Sequence, residues 1–236
     1  SYREWVEDYD RTARLYYALI TGVDAAVGMI REELERQGLA QNTVIIFTSD
    51  NGYNRGSHGF GDKVIPYEEG SKAPLIIYDP RLPKQHAGRT SAAVTANVDL
   101  PATIFAFSGV DAPEGLDGRN LLPLLENPAG RVREWLPLFN FWGVASAQSM
   151  AVVSAEWKYI HWYYGGPKAP GNPETMTPTE ELFNLSQDGG EMMNLAGDQR
   201  HASRLAAART AYDSELAVMK AAIFPGHCYQ PYPVLF

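Results

Sequence analysis

Asp50, Asn51, His58 and Lys63 fall within one stretch, "FTSDNGYNRGSHGFGDK" (Phe47–Lys63), directly after the apolar run Val44-Ile45-Ile46-Phe47. An Asp carboxylate beside an Asn carbonyl offers two hard oxygen donors, which suit calcium or magnesium better than zinc. Two donors are too few, because calcium takes about 6–8 oxygens, so further ligands must come from elsewhere. Lys63 adds an ammonium, which is unfavourable near a divalent cation unless an anion such as a sulfate or phosphate ester lies between them. Gly56, Gly59 and Gly61 give the backbone freedom to fold that lysine back toward Asp50. His58 could donate a proton or a hydrogen bond at the same place. A plainer reading stands beside this one. Asp-Asn-Gly is a turn signal, Lys63 a solvated surface lysine and His58 an ordinary loop histidine.

Such residues act together only if the surrounding elements hold them. Tyr16, Ile20, Val23, Val27, Ile30 and Leu34 step by four and three, which puts them on one face of a helix that Gly38 would stop. "TVIIFTS" then reads as a strand covered on both faces, as in a parallel sheet. Asp50 and Asn51 would follow its carboxyl end, where open α/β sheets bind ligands. Pro74–Tyr78 supplies a second strand, and Asp99 is expected to cap a helix with Pro101 in its first turn and Gly109 as its stop. Further on, Ser149–Tyr164 holds two strand-like runs split by a hairpin at Ala155-Glu156. "EELFNL" makes another strand and Gln199–Ala222 a helix. The pattern predicts an α/β region over residues 1–135 and an α+β region over 136–236, the latter an antiparallel sheet with a long helix.

The bulk numbers narrow the choice of function. The 236 residues are 45% hydrophobic and 20% charged, ordinary for a globular protein. A net charge of −8 argues against nucleic acid as a partner, since phosphate backbones demand basic patches. No uninterrupted apolar run approaches the roughly 18 residues expected of a membrane span. Cys228 is the single cysteine, so neither an internal disulfide nor a Cys-based zinc cluster is available. Trp142, Trp157, Trp162 and Tyr163 read as packing residues, His161 as a half-buried strand residue, and His227 as a residue able to reach a sugar-binding rim.

Taken together, six stretches resemble the C-terminal half of a type I sulfatase over most of residues 9–220. They are "YYALITGVDAAVGMIREELERQGLAQNTVIIFTSDNG", "HGFGDK", "PYEEGSKAPLIIY", "NVDLPATIFAFSGVDAPEGLDGRNLLPLL", "WKYIHW" and "EELFNLSQDGGEMMNLA". The resemblance implies an alkaline-phosphatase-like fold, a parallel-rich sheet with flanking helices and a small C-terminal antiparallel subdomain. It implies Asp50 and Asn51 as calcium ligands, with magnesium as the alternative ion, and Lys63 as the lysine that grips the sulfate ester. His58 falls in an "HG" element whose role varies among members, and Glu68, Glu69 and Gly70 would shape the loop that positions Lys63.

The family's nucleophile is a formylglycine made from a Cys/Ser-x-Pro-x-Arg motif, which this chain does not contain. The resemblance therefore implies the C-terminal part of a longer polypeptide, inactive by itself, whose partner is the remainder of the sulfatase. Its substrate would be a sulfated sugar or aryl sulfate, and its location periplasmic or secreted. Alternatives are a phosphoester or phosphonate hydrolase on the same fold and a non-catalytic glycan-binding relative. Asn51 favours calcium and sulfate, because two-zinc phosphatases place His there.

Overall fold

The computed structural model describes residues 2–63, 65–141, 145–164 and 177–222. In chain order the elements are α1 (Tyr2–Arg36), β1 (Ile45–Thr48), β2 (Asn54–Arg55), β3 (Gly61–Asp62), α2 (Glu68–Ser71), β4 (Leu75–Tyr78), α3 (Asp99–Ser108) and α4 (Leu122–Glu126). Then follow β5 (Leu136–Asn140), β6 (Ser149–Val153), β7 (Trp157–Trp162), β8 (Thr179–Asn184) and α5 (Ala202–Ala221). The chain divides into two compact units, Ser1–Phe47 with Leu75–Ala87, and Thr48–Pro74 with Gly88–Phe236.

In the first unit α1 begins well before the predicted stripe and stops where expected. Gly38 adopts a left-handed conformation (φ +70°), and the Leu39 N–H donates to the Leu34 carbonyl at 2.9 Å. β1 pairs with β4 in a two-stranded sheet. The expected cover on both faces is not present: β1 is half-buried throughout, and Ile76 of β4 is 60% exposed. The stripe on α1 is likewise open, with Ile20, Val23 and Ile30 exposed and, beside them, Leu19 at 70% and Met29 at 69%. By length and composition Asp8–Arg36 could cross a membrane, although no unbroken apolar run is present; core helices of soluble proteins pass the same test.

The second unit is built on an antiparallel sheet of order β5-β6-β7-β8, with Ala151 opposite Ile160 and Ile160 opposite Glu181. The hairpin falls where predicted, closed by the Ser154 N–H to the Trp157 carbonyl at 2.8 Å. Met150, Val152, Tyr159 and Leu182 form one face of this sheet and pack on Leu205, Ala208 and Tyr212 of α5. Ala151, Ile160, Trp162 and Phe183 form the other and pack on Ile65 and Tyr67. Each large apolar side chain so buried contributes about 1.5–3 kcal/mol. Ile65 and Tyr67, which follow Lys63 closely in the chain, are thus part of the packed core.

Asp99 departs from expectation. It makes no side-chain cap on α3, whose N-cap is Val98. Instead Asp99 is fully buried and its Oδ2 accepts from Arg133 Nη1 at 2.7 Å, while Arg133 Nη2 meets Oδ1. The backbone N–H groups of Ala96 and Arg119 also donate to it, each at 2.8 Å. Burial alone would raise this carboxyl, but Arg133 and the two amides outweigh it and hold the group below the usual carboxylate range. Ala96 is local, but Arg119 and Arg133 come from distant segments, so the cap pattern around Pro101 could not reveal them.

Candidate functional site

β1 runs out at Thr48, and the next three residues form a turn fixed from several sides. Asp50 Oδ1 accepts the Asn51 N–H at 3.0 Å, and the Asn51 side-chain amide donates to the Gly52 carbonyl at 2.6 Å. Asn97 braces the same turn from outside: its Nδ2 donates to the Ser49 carbonyl (2.8 Å) and the Asp50 carbonyl (3.2 Å), and its Oδ1 accepts from the Thr48 hydroxyl (3.1 Å). Gly52 is required by space. A Cβ there would lie 2.1 Å from the Glu69 carbonyl oxygen, and the Gly52 N–H donates to the Gly70 carbonyl at 3.2 Å. Glu69 and Gly70 of α2 therefore back the turn.

Lys63 returns to that turn through a minimal hairpin. β2 and β3 pair Asn54 with Asp62 and Arg55 with Gly61. The reversal uses positive φ at Gly56 (103°), His58 (54°) and Gly59 (79°). Gly61 takes no such conformation, so of the three glycines only Gly56 and Gly59 serve the fold-back. The Lys63 ammonium ends 3.4 Å from Asn51 Oδ1 and 3.7 Å from Asp50 Oδ2. Lys63 is 44% and Asp50 78% exposed at the side chain, so the ion pair itself stabilises little. The three residues border an open cleft of about 590 Å³, whose wall includes Ile65, Pro66, Leu138 and Phe139.

The structure thus brings Asp50, Asn51 and Lys63 together. His58 goes elsewhere: its ring stacks on Tyr67, centroids 3.9 Å apart at 8°, and it is not among the residues lining the cleft. His227 lies outside the described residues, as do Trp142 and residues 165–176. His161 is half-buried against the rings of Tyr163 and Tyr212, and desolvation lowers its pKa, with Glu180 and Asp213 opposing. Asn97 was not anticipated, and neither was Lys158, which sits on β7 with no side-chain exposure. A lysine inside the aromatic strand "WKYIHW" was the available signal, because a buried cation must be paired.

The donor set can be tested against a hard cation. Asp50 Oδ2 and Asn51 Oδ1 are both oxygen donors facing the same ammonium, which is the chemistry calcium or magnesium requires. Among the described residues no group of three or more His, Cys, Asp or Glu side chains is arranged to hold a metal. The two residues fit as part of a coordination shell and not as the whole of one.

Against this geometry, the sulfatase family model matches residues 1–110, and the model for the C-terminal part of N-sulphoglucosamine sulphohydrolase matches residues 56–211. The chain belongs to the sulfatase family. An N-acetylglucosamine-6-O-sulfatase of Bacteroides thetaiotaomicron is 31% identical over 83% of this sulfatase chain and 34% of its own length. A protein solved in complex with its substrate D-glucosamine-2-N,6-O-disulfate superposes with a TM-score of 0.73, at 29% identity, over 86% of this chain and 40% of that one. The phosphonate monoester hydrolase of Agrobacterium radiobacter superposes at 0.66, with 27% identity, over 87% of this chain and 40% of that chain. This sulfatase chain spans about a third of the length of the curated relatives it matches.

Proposed function

We propose that this chain is the C-terminal portion of a calcium-dependent sulfuric ester hydrolase acting on a sulfated sugar or an aryl sulfate. The carrying observation is the convergence of Asp50, Asn51 and Lys63 on one side of an open cleft, with the ammonium within 3.4–3.7 Å of both donors. Asp50 and Asn51 would hold one side of the cation, calcium or magnesium. When bound, that ion would neutralise charge on the sulfate oxygens, and a formylglycine from the rest of the polypeptide would supply the nucleophile. Lys63 would grip the ester oxygens from the other side, a fixed positive charge aimed where negative charge develops. The partly apolar cleft wall leaves room for the alcohol portion. On this reading the 236-residue chain has no turnover alone, and the protein is periplasmic or secreted.

The test is Lys63→Ala in the longer polypeptide, assayed on an aryl sulfate. The expected loss in kcat is about 10²–10³-fold, as for removal of one preorganised charge-stabilising donor. Turnover at the parental rate, or turnover by the 236-residue chain alone, ends the proposal. Likeness to a phosphonate monoester hydrolase favours a second reading, hydrolysis of phosphonate or phosphate esters at the same residues. A higher kcat/KM for a phenyl phosphonate than for the matching aryl sulfate would select it.

A further inference from the structure

Lys158 projects from β7 without exposure, and its ammonium has three acceptors: the Pro66 carbonyl at 2.8 Å, Glu68 Oε1 at 2.9 Å and Glu191 Oε1 at 3.0 Å. The first is a hydrogen bond and the other two are ion pairs, so the buried charge is compensated from two sides. Glu191 closes the cluster, because its Oε2 accepts the Glu68 N–H at 2.6 Å. The short segment from Pro66 to Glu68 is therefore held at a carbonyl, a side chain and an amide at once. Glu68 also meets Lys72 at 3.2 Å from within α2.

Two observations indicate that this cluster does more than fill the core. Glu191 sits at φ +54°, a left-handed conformation unfavourable for a residue with a Cβ, although Gly189 and Gly190 stand immediately before it. The strain falls on the residue whose carboxylate reaches Glu68 and Lys158. In addition, the segment so held leads straight into the backbone that touches the site turn. Glu69 leaves no space for a Cβ on Gly52, Gly70 accepts the Gly52 N–H, and Gly52 directly follows Asn51. A Cβ on Gly70 would itself lie 2.7 Å from the Ile65 carbonyl and from the Asn54 amide, so α2 has little room to shift.

We propose that Lys158 is a positioning residue for the oxyanion site: through Pro66, Glu68 and Glu191 it sets α2, and α2 sets the Asp50–Gly52 turn. The proposal rests on the reading that Asp50, Asn51 and Lys63 bind the ester. Replacing one member would leave an uncompensated buried charge and endanger folding, whereas replacing a complete buried cluster by neutral groups is often tolerated. The test therefore uses the triple variant Lys158→Met, Glu68→Gln, Glu191→Gln in the polypeptide that carries this chain, with Lys63→Ala as control. Lys158→Arg serves if the triple variant does not fold, since a planar guanidinium cannot place three donors around one nitrogen.

Two readouts are taken: amide hydrogen exchange, and kinetics on an aryl sulfate with inorganic sulfate as inhibitor. Exchange at Gly52 and Lys72 is expected to accelerate about tenfold or more while the amides of β6 keep their rates. kcat/KM is expected to fall on the order of 10–100-fold, with sulfate inhibition weakened in parallel. A uniform rise in exchange across the sheet, or unchanged exchange at Gly52, would make Lys158 a purely structural residue and overturn the proposal. If Lys63→Ala keeps full turnover the functional reading fails, and the exchange data still decide whether Lys158 holds the turn.

Discussion

β6 is buried at all five positions, whereas β4 alternates and leaves Ile76 and Tyr78 open. The contrast extends to the units that contain them. The four-stranded sheet finds both of its covers within its own unit, α5 on one face and the Ile65–Tyr67 segment on the other. The first unit presents Leu19, Met29 and Ile76 to solvent. The candidate site belongs to the self-sufficient unit. Asp50, Asn51, Lys63, Asn97 and Lys158 all lie in that unit.

The contrast is broken most directly at Arg133. Arg133→Ala leaves the Asp99 carboxylate buried with only two amide donors, and should cost the second unit roughly 3–5 kcal/mol in urea unfolding followed by tryptophan fluorescence. An unchanged midpoint would show that this unit does not depend on the pair. Acid gives a smaller effect. The folded-state values of Asp99 and Glu180 are lowered, for Glu180 chiefly by its hydrogen bond from Arg209. Their contribution is therefore full above about pH 4, the ordinary carboxylate value, and is lost as pH falls through the lower folded values. Glu191, raised by burial, works in the opposite sense: its contribution is present at low pH and fades as pH rises through its folded value. Because Glu68 and Asp198 of the same unit are lowered as well and only Glu191 opposes these carboxylates, the melting temperature of the second unit should drop between pH 5 and 3, and a flat profile would contradict the balance.

The smallest effect concerns α1. The isolated chain should self-associate in light scattering, and Met29→Glu should reduce that while changing stability by no more than about 0.5 kcal/mol. A compact monomer before substitution would remove the distinction between the units.

Legibility in the sequence followed the range of the interactions. The Gly38 stop, the Ser154 hairpin and α5 depend on neighbours in the chain, and patterning found them. Asp50, Asn51 and Lys63 were singled out because their types are unusual after a buried strand, and the hairpin's positive-φ residues explain how Lys63 comes back. Asp99 was misassigned as a cap because a cap is a local pattern, while its partner Arg133 lies far along the chain. His58 read from the sequence either as a site residue or as an ordinary loop histidine, and local pattern did not show its contact with Tyr67. Its stacking on Tyr67 depends on where β7 and β8 place the Trp162 and Phe183 rings, which also meet Tyr67. Glu191 was invisible for the same reason, and Lys158, although signalled by its place among aromatic residues, gains its partners only once three separate segments are adjacent.

The tightness at Gly52 governs how this cleft could be remodelled. With no clearance between the turn and the Glu69 carbonyl, the spacing of Asp50 and Asn51 cannot be adjusted by a side-chain exchange at position 52. Phe139, partly open to solvent on the edge strand β5, carries no such restriction. Retuning the cleft for a bulkier or slimmer alcohol is therefore work for the wall, and the rim would pass unaltered from one ester to the next.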